Sequence, residues 1–390
     1  MQIQMEPRQA AGLGAWLALG WIALVAFLDT FAIVPVLAPY AKRVLGASDA
    51  QAGLTLSLYS LANLLANLYS GVLLDRFGRR LPMAISLWAA GLLIALYPFA
   101  TAPETLMLWR ALHGATGAVF VPALFALVGE YGVANRTRAM GGAGALIGVV
   151  ALVAPPVGGV IARDYGEPVL FWGVAGLMAL AGIAAWLVPE PPRHRHAPPR
   201  EHPLEVWRVP TLRAVFLLTL GMTFAMGVLT FALPVLLQQA GYDAAYRGRL
   251  FGLLALMAIA LMVAVRRTGQ LGGARRRAQL GVGLLALGAL GLSLAPIPIG
   301  TWLVATLYGV GFGLTFPAVH LLAFEYAPEH RRGVSLAMLH ACFSLGYVLG
   351  PAAAGIAGAA LAGYVGALAS SGLLLSTLRL LPRDTQNPTP

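Results

Sequence analysis

Two strongly ionisable side chains stand well inside long apolar runs of this 390-residue sequence, Asp29 and Arg110. His113 follows Arg110 by three residues and shares its helical face. A carboxylate in an apolar cleft favours its neutral form, and a nearby guanidinium favours the charged one. Opening such a cleft to one side changes both influences, so protonation becomes coupled to conformation. Asp29 and Arg110 are therefore expected to pair, or to alternate between pairing and binding a proton or substrate. A static buried salt bridge is the alternative, and His113 is either a second proton carrier or a packed histidine. Catalytic chemistry finds no support. The chain has no HExxH and no convincing nucleophile–base set, and its one lysine, Lys42, lies in no GxxxxGK loop. The single cysteine, Cys342, excludes disulfides, a CxxC redox pair and a cysteine zinc site. No enzyme, cofactor or metal site is expected.

The surroundings of these residues say where the chemistry happens. Hydrophobic residues make up 59% of the chain and charged residues only 11%, whereas a soluble domain carries about 25% charged residues. Such a chain cannot cover a water-facing surface, but it can cover one that faces lipid. Spans of roughly 20 apolar residues suffice to cross the hydrocarbon core, and twelve runs qualify, from 14–39 to 360–378. The first is read as a retained helix, since no small-residue cleavage site precedes it. The break before the last, around Gly355 to Gly363, is weak. With the N-terminus inside, 20 of the 26 Lys and Arg fall in inner segments and 5 in outer loops; Arg110 lies within a span. That bias puts both termini in the cytoplasm of a cell inner membrane. It also assigns the net charge of +11 to topology and not to nucleic acid. Asp29 then lies roughly 24 Å along its helix, at a depth similar to that of Arg110.

The longest polar stretch opens with PEPPRHRHAPPREHP. It reads as a solvated cytoplasmic linker over 189–211, between an N-terminal six-helix bundle (1–188) and a C-terminal one (212–390). His194, His196 and His202 belong to that linker more naturally than to a metal site. The halves repeat. Gly114, Pro122, Ala123, Glu130, Tyr131 and Arg136 recur 195 residues later as Gly309, Pro317, Ala318, Glu325, Tyr326 and Arg331. Pro155 with Gly159 is echoed by Pro351 with Gly355. Two matched bundles make a body whose halves rock about a midplane site. The fold class expected is an all-α membrane protein of twelve transmembrane helices in two pseudo-symmetric bundles.

The segment Gly71-Val-Leu-Leu-Asp75-Arg76-Phe77-Gly78-Arg79-Arg80 resembles the GxxxDRxGRR signature of the major facilitator superfamily, and the resemblance runs from about residue 14 to 381. Gly71 suits close helix approach, and Asp75 a position from which it caps a facing helix. The resemblance implies that this is the eleventh span, near Arg332. It also implies that Arg79 pairs with Glu130, the set forming a cytoplasmic latch. Gln270 replaces the repeat of Asp75, so the latch is one-sided. Arg110 with Gly114 and Gly117 is similar to the family's RxxxGxxG pattern in the fourth span. Leu28-Asp29-Thr30 with Pro35 is similar to the first-span motif of drug–proton antiporters. In the fifth span Pro155, Gly158 and Gly159 resemble the antiporter GPxxGG signature, although Ala154 replaces its first glycine. Gly346, Gly350 and Pro351 form a closer copy in the eleventh.

Ser60, Asn63, Asn67 and Ser70 share one face of the second span and either line a cavity or tie helices together. Met222 and Met226 on the seventh span, with His320 and His340 on the tenth and eleventh, are further cavity-lining candidates, or core. The function expected is secondary transport by alternating access, with proton-coupled efflux of small amphipathic or drug-like compounds as the leading form. Its partners would be the bilayer, a small-molecule substrate and protons, and the simplest state is a monomer. A facilitator or exporter of a sugar, amino acid or other metabolite is the rival, and a non-transporting membrane receptor the alternative from another class.

Overall fold

The computed structural model describes residues 12–132, 136–190, 204–268, 272–378 and 380. His194, His196, His202 and Gln270 lie outside them. Twelve of the described helices are long and apolar enough to cross a membrane. They are α1 (Leu13–Leu45), α2 (Asp49–Phe77), α3 (Arg80–Leu96), α4 (Pro103–Tyr131), α5 (Arg136–Asp164) and α6 (Glu167–Ala184) in the first half. After the single turn α7 (Leu204–Trp207) come α8 (Pro210–Gln239), α9 (Ala244–Thr268), α10 (Ala274–Leu294), α11 (Ile299–Glu325), α12 (Arg332–Ala357) and α13 (Ala359–Thr377). There is no strand among the described residues.

The helix ends have local causes. The first span was expected to stop at 39, but α1 runs on through Pro35 and Pro39 and ends at Gly46, left-handed at φ 68°. Proline is tolerated inside a membrane helix because packed neighbours restore what its missing N–H removes. The weak last break falls at Gly358, with φ 85°. Ser48 opens α2 with a full capping box to Gln51.

Backbone contacts expose the pseudo-symmetry. A Cβ at Gly114 of α4 would lie 2.0 Å from the Tyr59 carbonyl of α2, and one at Gly309 of α11 would lie 2.4 Å from the Leu254 carbonyl of α9. Within the halves, Gly158 of α5 sits on Ala32 of α1 as Gly350 of α12 sits on Phe224 of α8. Between the halves, α2 crosses α12 and α9 crosses α5. The crossing glycines, Gly53 and Gly248, are themselves 195 residues apart. A Cβ at Gly53 would stand 2.3 Å from the Pro351 carbonyl, and one at Gly248 would stand 2.2 Å from that of Pro155. Only glycine permits backbones so near.

These inter-half contacts gather at one end. There Gly355 meets Asp49 and Gly159 meets Ala244. Asp49 accepts the Ala359 amide of α13 at 3.0 Å, and Gln238 donates to the Pro39 carbonyl at 3.2 Å. At the opposite end α2 leaves α12. Residues 71–73 and 75–77 are exposed, and neither Gly71 nor Gly333 has a neighbour within 4 Å of a built Cβ. The body is closed at its Asp49 end and parted at its Asp75 end.

Candidate functional site

Inside the first half, α1, α2, α4 and the turn after α3 bring a polar chain into an apolar core. Asp29, His113 and Arg110 are buried, 0%, 0% and 5% exposed. The Asp29–Arg110 pair expected from the sequence is not the contact made. His113 stands between them, with Nε2 3.0 Å from Asp29 Oδ2. One turn along α4, the short imidazole reaches α1, while the longer Arg110 side chain is drawn aside. Its Nη1 donates to the Tyr97 hydroxyl at 3.3 Å, and its guanidinium lies 4.4 Å above the Tyr59 ring.

The donors fix the protons. Arg110 can only donate, so Tyr97 Oη accepts from it and turns its own proton toward His113 Nδ1, 2.7 Å away. Nδ1 therefore accepts, and the ring proton sits on Nε2, facing Asp29. That last approach is close but poorly aligned: neither Asp29 Oδ2 nor His113 Nε2 completes a hydrogen bond. The other carboxylate oxygen is held by the Thr30 amide at 2.6 Å and hydroxyl at 3.1 Å. Arg110, Tyr97, His113 and Asp29 thus form one continuous chain of polar contacts, with Arg110 as its fixed charge. Tyr59 and Tyr97 were not identified from the sequence; Tyr59 sits where Gly114 and Gly117 clear room for it.

The remaining candidates divide. Asn63 Nδ2 donates to the Gly114 carbonyl at 3.1 Å and ties α2 to α4. Asn67, donating to Asn63 Oδ1 at 3.0 Å, is exposed. Ser70 bonds back to the Asn67 carbonyl, and Ser60 is half-buried. Met222 and Met226 do not line a cavity: they are buried in the second half's core, because α8 is surrounded by its neighbours along most of its length. His320 is half-buried and His340 exposed. Pro155, Gly158, Gly159, Gly346, Gly350 and Pro351 all take part in helix crossings.

At the parted end the geometry of the signature loop is local. Arg79 Nη2 lies 2.8 Å from Glu130. Gly78 turns the chain at φ 86°, with Glu190 close against it. The Glu190 carboxylate accepts both the Arg79 and Arg80 amides at 2.8 Å, capping α3. Glu190 was missed, although an acid just after the sixth span was visible. Arg76 rests over the Phe77 ring. Asp75 does not cap the facing helix: it is exposed, since α2 and α12 touch at the other end. Gly71, expected at a close approach, faces open space for the same reason.

A family model, Major Facilitator Superfamily, matches residues 19–351. The chain belongs to this superfamily. Its curated relatives match in part. The inner membrane transport protein YajR of Escherichia coli is 32% identical over 181 residues, 45% of this chain and 39% of that protein. Multidrug resistance protein 1 of Bacillus subtilis is 25% identical over 44% of each. Class B tetracycline resistance protein of Escherichia coli is 32% identical over 33% of this chain and 32% of its own. The matches thus span less than half the length of these relatives. Among solved structures, a D-xylose–proton symporter superposes with a TM-score of 0.79 at 15% identity, covering 95% of this chain and 98% of its own. A bacterial homologue of the lysosomal transporter Spinster, inward-facing and unoccupied, gives 0.73 at 18% identity and 94% of both chains. At these identities the likeness is one of fold. The superfamily and these neighbours are transporters, not enzymes.

Proposed function

We propose that this superfamily member is a secondary transporter working by alternating access, with proton movement coupled to efflux of small amphipathic compounds. The observation that carries it is the Asp29–His113–Tyr97–Arg110 chain: polar and ionisable groups in contact end to end, sealed in apolar surroundings, in a body parted at one end only. A buried ionisable group in a membrane helix is costly, and a purely structural role would be met by a well-aligned pair. Asp29 and His113 are instead left short of alignment, so a change in helix position alters which of them holds the proton. Drug-resistance proteins among the relatives support the efflux form.

The Lys and Arg distribution puts the Asp75 end in the cytoplasm, with both termini there, so this conformation is inward-open. The Arg79–Glu130 pair and the signature loop then form the cytoplasmic gate. It stays within the first half while the gate is open, and Asp75 engages α12 when the halves close. In everted vesicles carrying a pH-sensitive dye, added substrate should release an imposed proton gradient. Substrate flux with no proton movement overturns the coupling. It would favour the facilitator reading, to which the complete burial of Asp29 also lends weight.

A further inference from the structure

The second half carries a feature that the proton chain does not use. α11 and α12 turn toward each other a run of rings: Phe312, Phe316 and His320 at four-residue steps, then His340, Phe343 and Tyr347. Phe312 and Phe316 stack with centroids 5.2 Å apart, and Phe316 lies 4.4 Å from His320. His320 meets His340 edge-on at 5.4 Å, and Phe343 lies 6.1 Å from Phe316 and 5.3 Å from Tyr347.

This face is neither lipid surface nor core. On α12 the ring residues stand on the side opposite Leu345, Leu349 and Ile356, which are exposed. Gly346 and Gly350, to one side of the rings, sit on α8; Pro351 and Gly355, to the other, sit on Gly53 of α2. The rings therefore point into the space between the halves, on the side where the halves part. None of the six is fully covered: five are half-buried and His340 is exposed. A mostly apolar wall with a few convergent polar atoms is the kind of lining a small-molecule site uses.

Its polar atoms choose the ligand. His320 Nδ1 lies 2.8 Å from the Phe316 carbonyl. A carbonyl only accepts, so Nδ1 carries the proton and Nε2 presents a lone pair. No carboxylate belongs to the cluster: the described acids of the second half, Glu205, Asp243, Glu325 and Glu329, stand at helix ends. The face thus offers π surfaces and a nitrogen acceptor, and both attract a donor or a cation. We propose that the Phe316–His320–His340–Phe343 face is a binding platform for planar aromatic molecules bearing an amine. The ligand ring stacks on Phe316 and Phe343, and its N–H donates to His320 Nε2. As the substrate platform, it rests on the transporter reading.

The test is fluorescence anisotropy of ethidium, a planar aromatic cation with two amino groups, on the purified full chain in detergent without any gradient. Phe316→Leu and Phe343→Leu keep apolar volume and remove the ring; each should weaken binding about 3–10-fold. His320→Ala should weaken it further, Leu345→Ala on the lipid face should leave it unchanged, and tetrabutylammonium should compete poorly. Absence of saturable binding, unchanged affinity in both leucine variants, or equal competition by tetrabutylammonium overturns the platform. Ring-sensitive binding with no flux in vesicles would instead sink the transporter reading and leave the binding site standing.

Discussion

The two halves share a scaffold and differ in what they bury. At the repeat offset of 195 residues, Arg110 corresponds to Ala305 and His113 to Tyr308, and the recurrence of Thr30-Phe31-Ala32 as Thr230-Phe231-Ala232 sets Asp29 against Leu229. In the second half these positions form an ordinary core. Leu229 and Ala305 are fully buried, and Tyr308 spends its hydroxyl on the Ala225 carbonyl at 3.1 Å. The same helix positions can therefore be filled with no charge at all. The first half departs from that pattern and keeps three ionisable groups where apolar packing would serve. The second half keeps His320 and His340 on a face open to the space between the bundles. On the proposed reading the difference is a division of labour: proton handling in one half, ligand contact in the other, and the crossing helices to link them.

The sharpest way to break this comparison is to give the first half the second half's core. Asp29→Asn should reduce proton coupling in vesicles to background while the protein remains folded. Asp29→Leu alone should destabilise the fold by about 3–5 kcal/mol, because it strands buried polar partners, whereas Asp29→Leu, Arg110→Ala and His113→Tyr together should restore stability to within about 1–2 kcal/mol. Thermal unfolding in detergent measures the stability difference, and the dye assay the coupling. A triple variant that still exchanges protons would show that the first half's charges do no transport work.

Next in size is the effect of the paired crossings. Gly53→Val and Gly248→Val each drive a side chain into a proline carbonyl little more than 2 Å from where its Cβ would stand. Each should prevent closure of the Asp49 end and abolish substrate flux, and the two should be alike within a factor of about two, since the contacts are nearly the same. Distances between spin labels on α2 and α12 would report the opening. Unequal effects would mean that the two seams do not act as a symmetric pair.

A smaller effect separates the repeated acids. Glu130 pairs with Arg79, but its repeat, Glu325, is exposed and makes no ion pair among the described residues. Glu130→Gln should lower the flux rate several-fold by loosening the gate, and Glu325→Gln should leave it unchanged. Equal losses would mean that the second half owns a gate visible only in the other conformation.

What the sequence disclosed follows from physics that acts locally. Span length, charge bias and the 195-residue echo depend on composition and order, so twelve helices in two like bundles could be read directly. The position of Arg79 beside Glu130 followed from the signature loop. The interposed His113 could not be found this way. Asp29 and Arg110 lie at like depths, but which α4 side chain reaches α1 depends on helix rotation and on Tyr97 and Tyr59 capturing the arginine. Met222 and Met226 misled because spacing marks a face without saying what covers it, and α8 is covered on nearly every side. Asp75 and Gly71 stand apart from α12 because this conformation is parted at their end, and a sequence motif does not say which conformation the chain adopts.

The mildest effect belongs to the two seams. Asp49 holds Lys42 of its own half and caps the first turn of α13 in the other, where the positive end of the helix favours a carboxylate. The corresponding site on the other seam has Ala244 in place of Asp49 and Gly166, with φ 89°, before α6. The nearest charge contact there is Arg163 with Asp243 at 4.0 Å, both exposed, which is worth little. One seam is clasped by a shared carboxylate; the other relies on packing, the exposed Arg163–Asp243 contact and the buried Arg247 near Glu167. Asp49→Asn keeps an acceptor but loses the charge, and should weaken the closed end by about 1 kcal/mol. That shifts the conformational balance roughly fivefold, while Asp243→Asn should shift it hardly at all. Cys342 is buried, so single cysteines introduced near Gly355 and Gly159 can report opening by their rates of alkylation. Faster labelling at both sites in Asp49→Asn shows that a clasp on one seam restrains the whole end; faster labelling near Gly355 alone shows that the seams open separately.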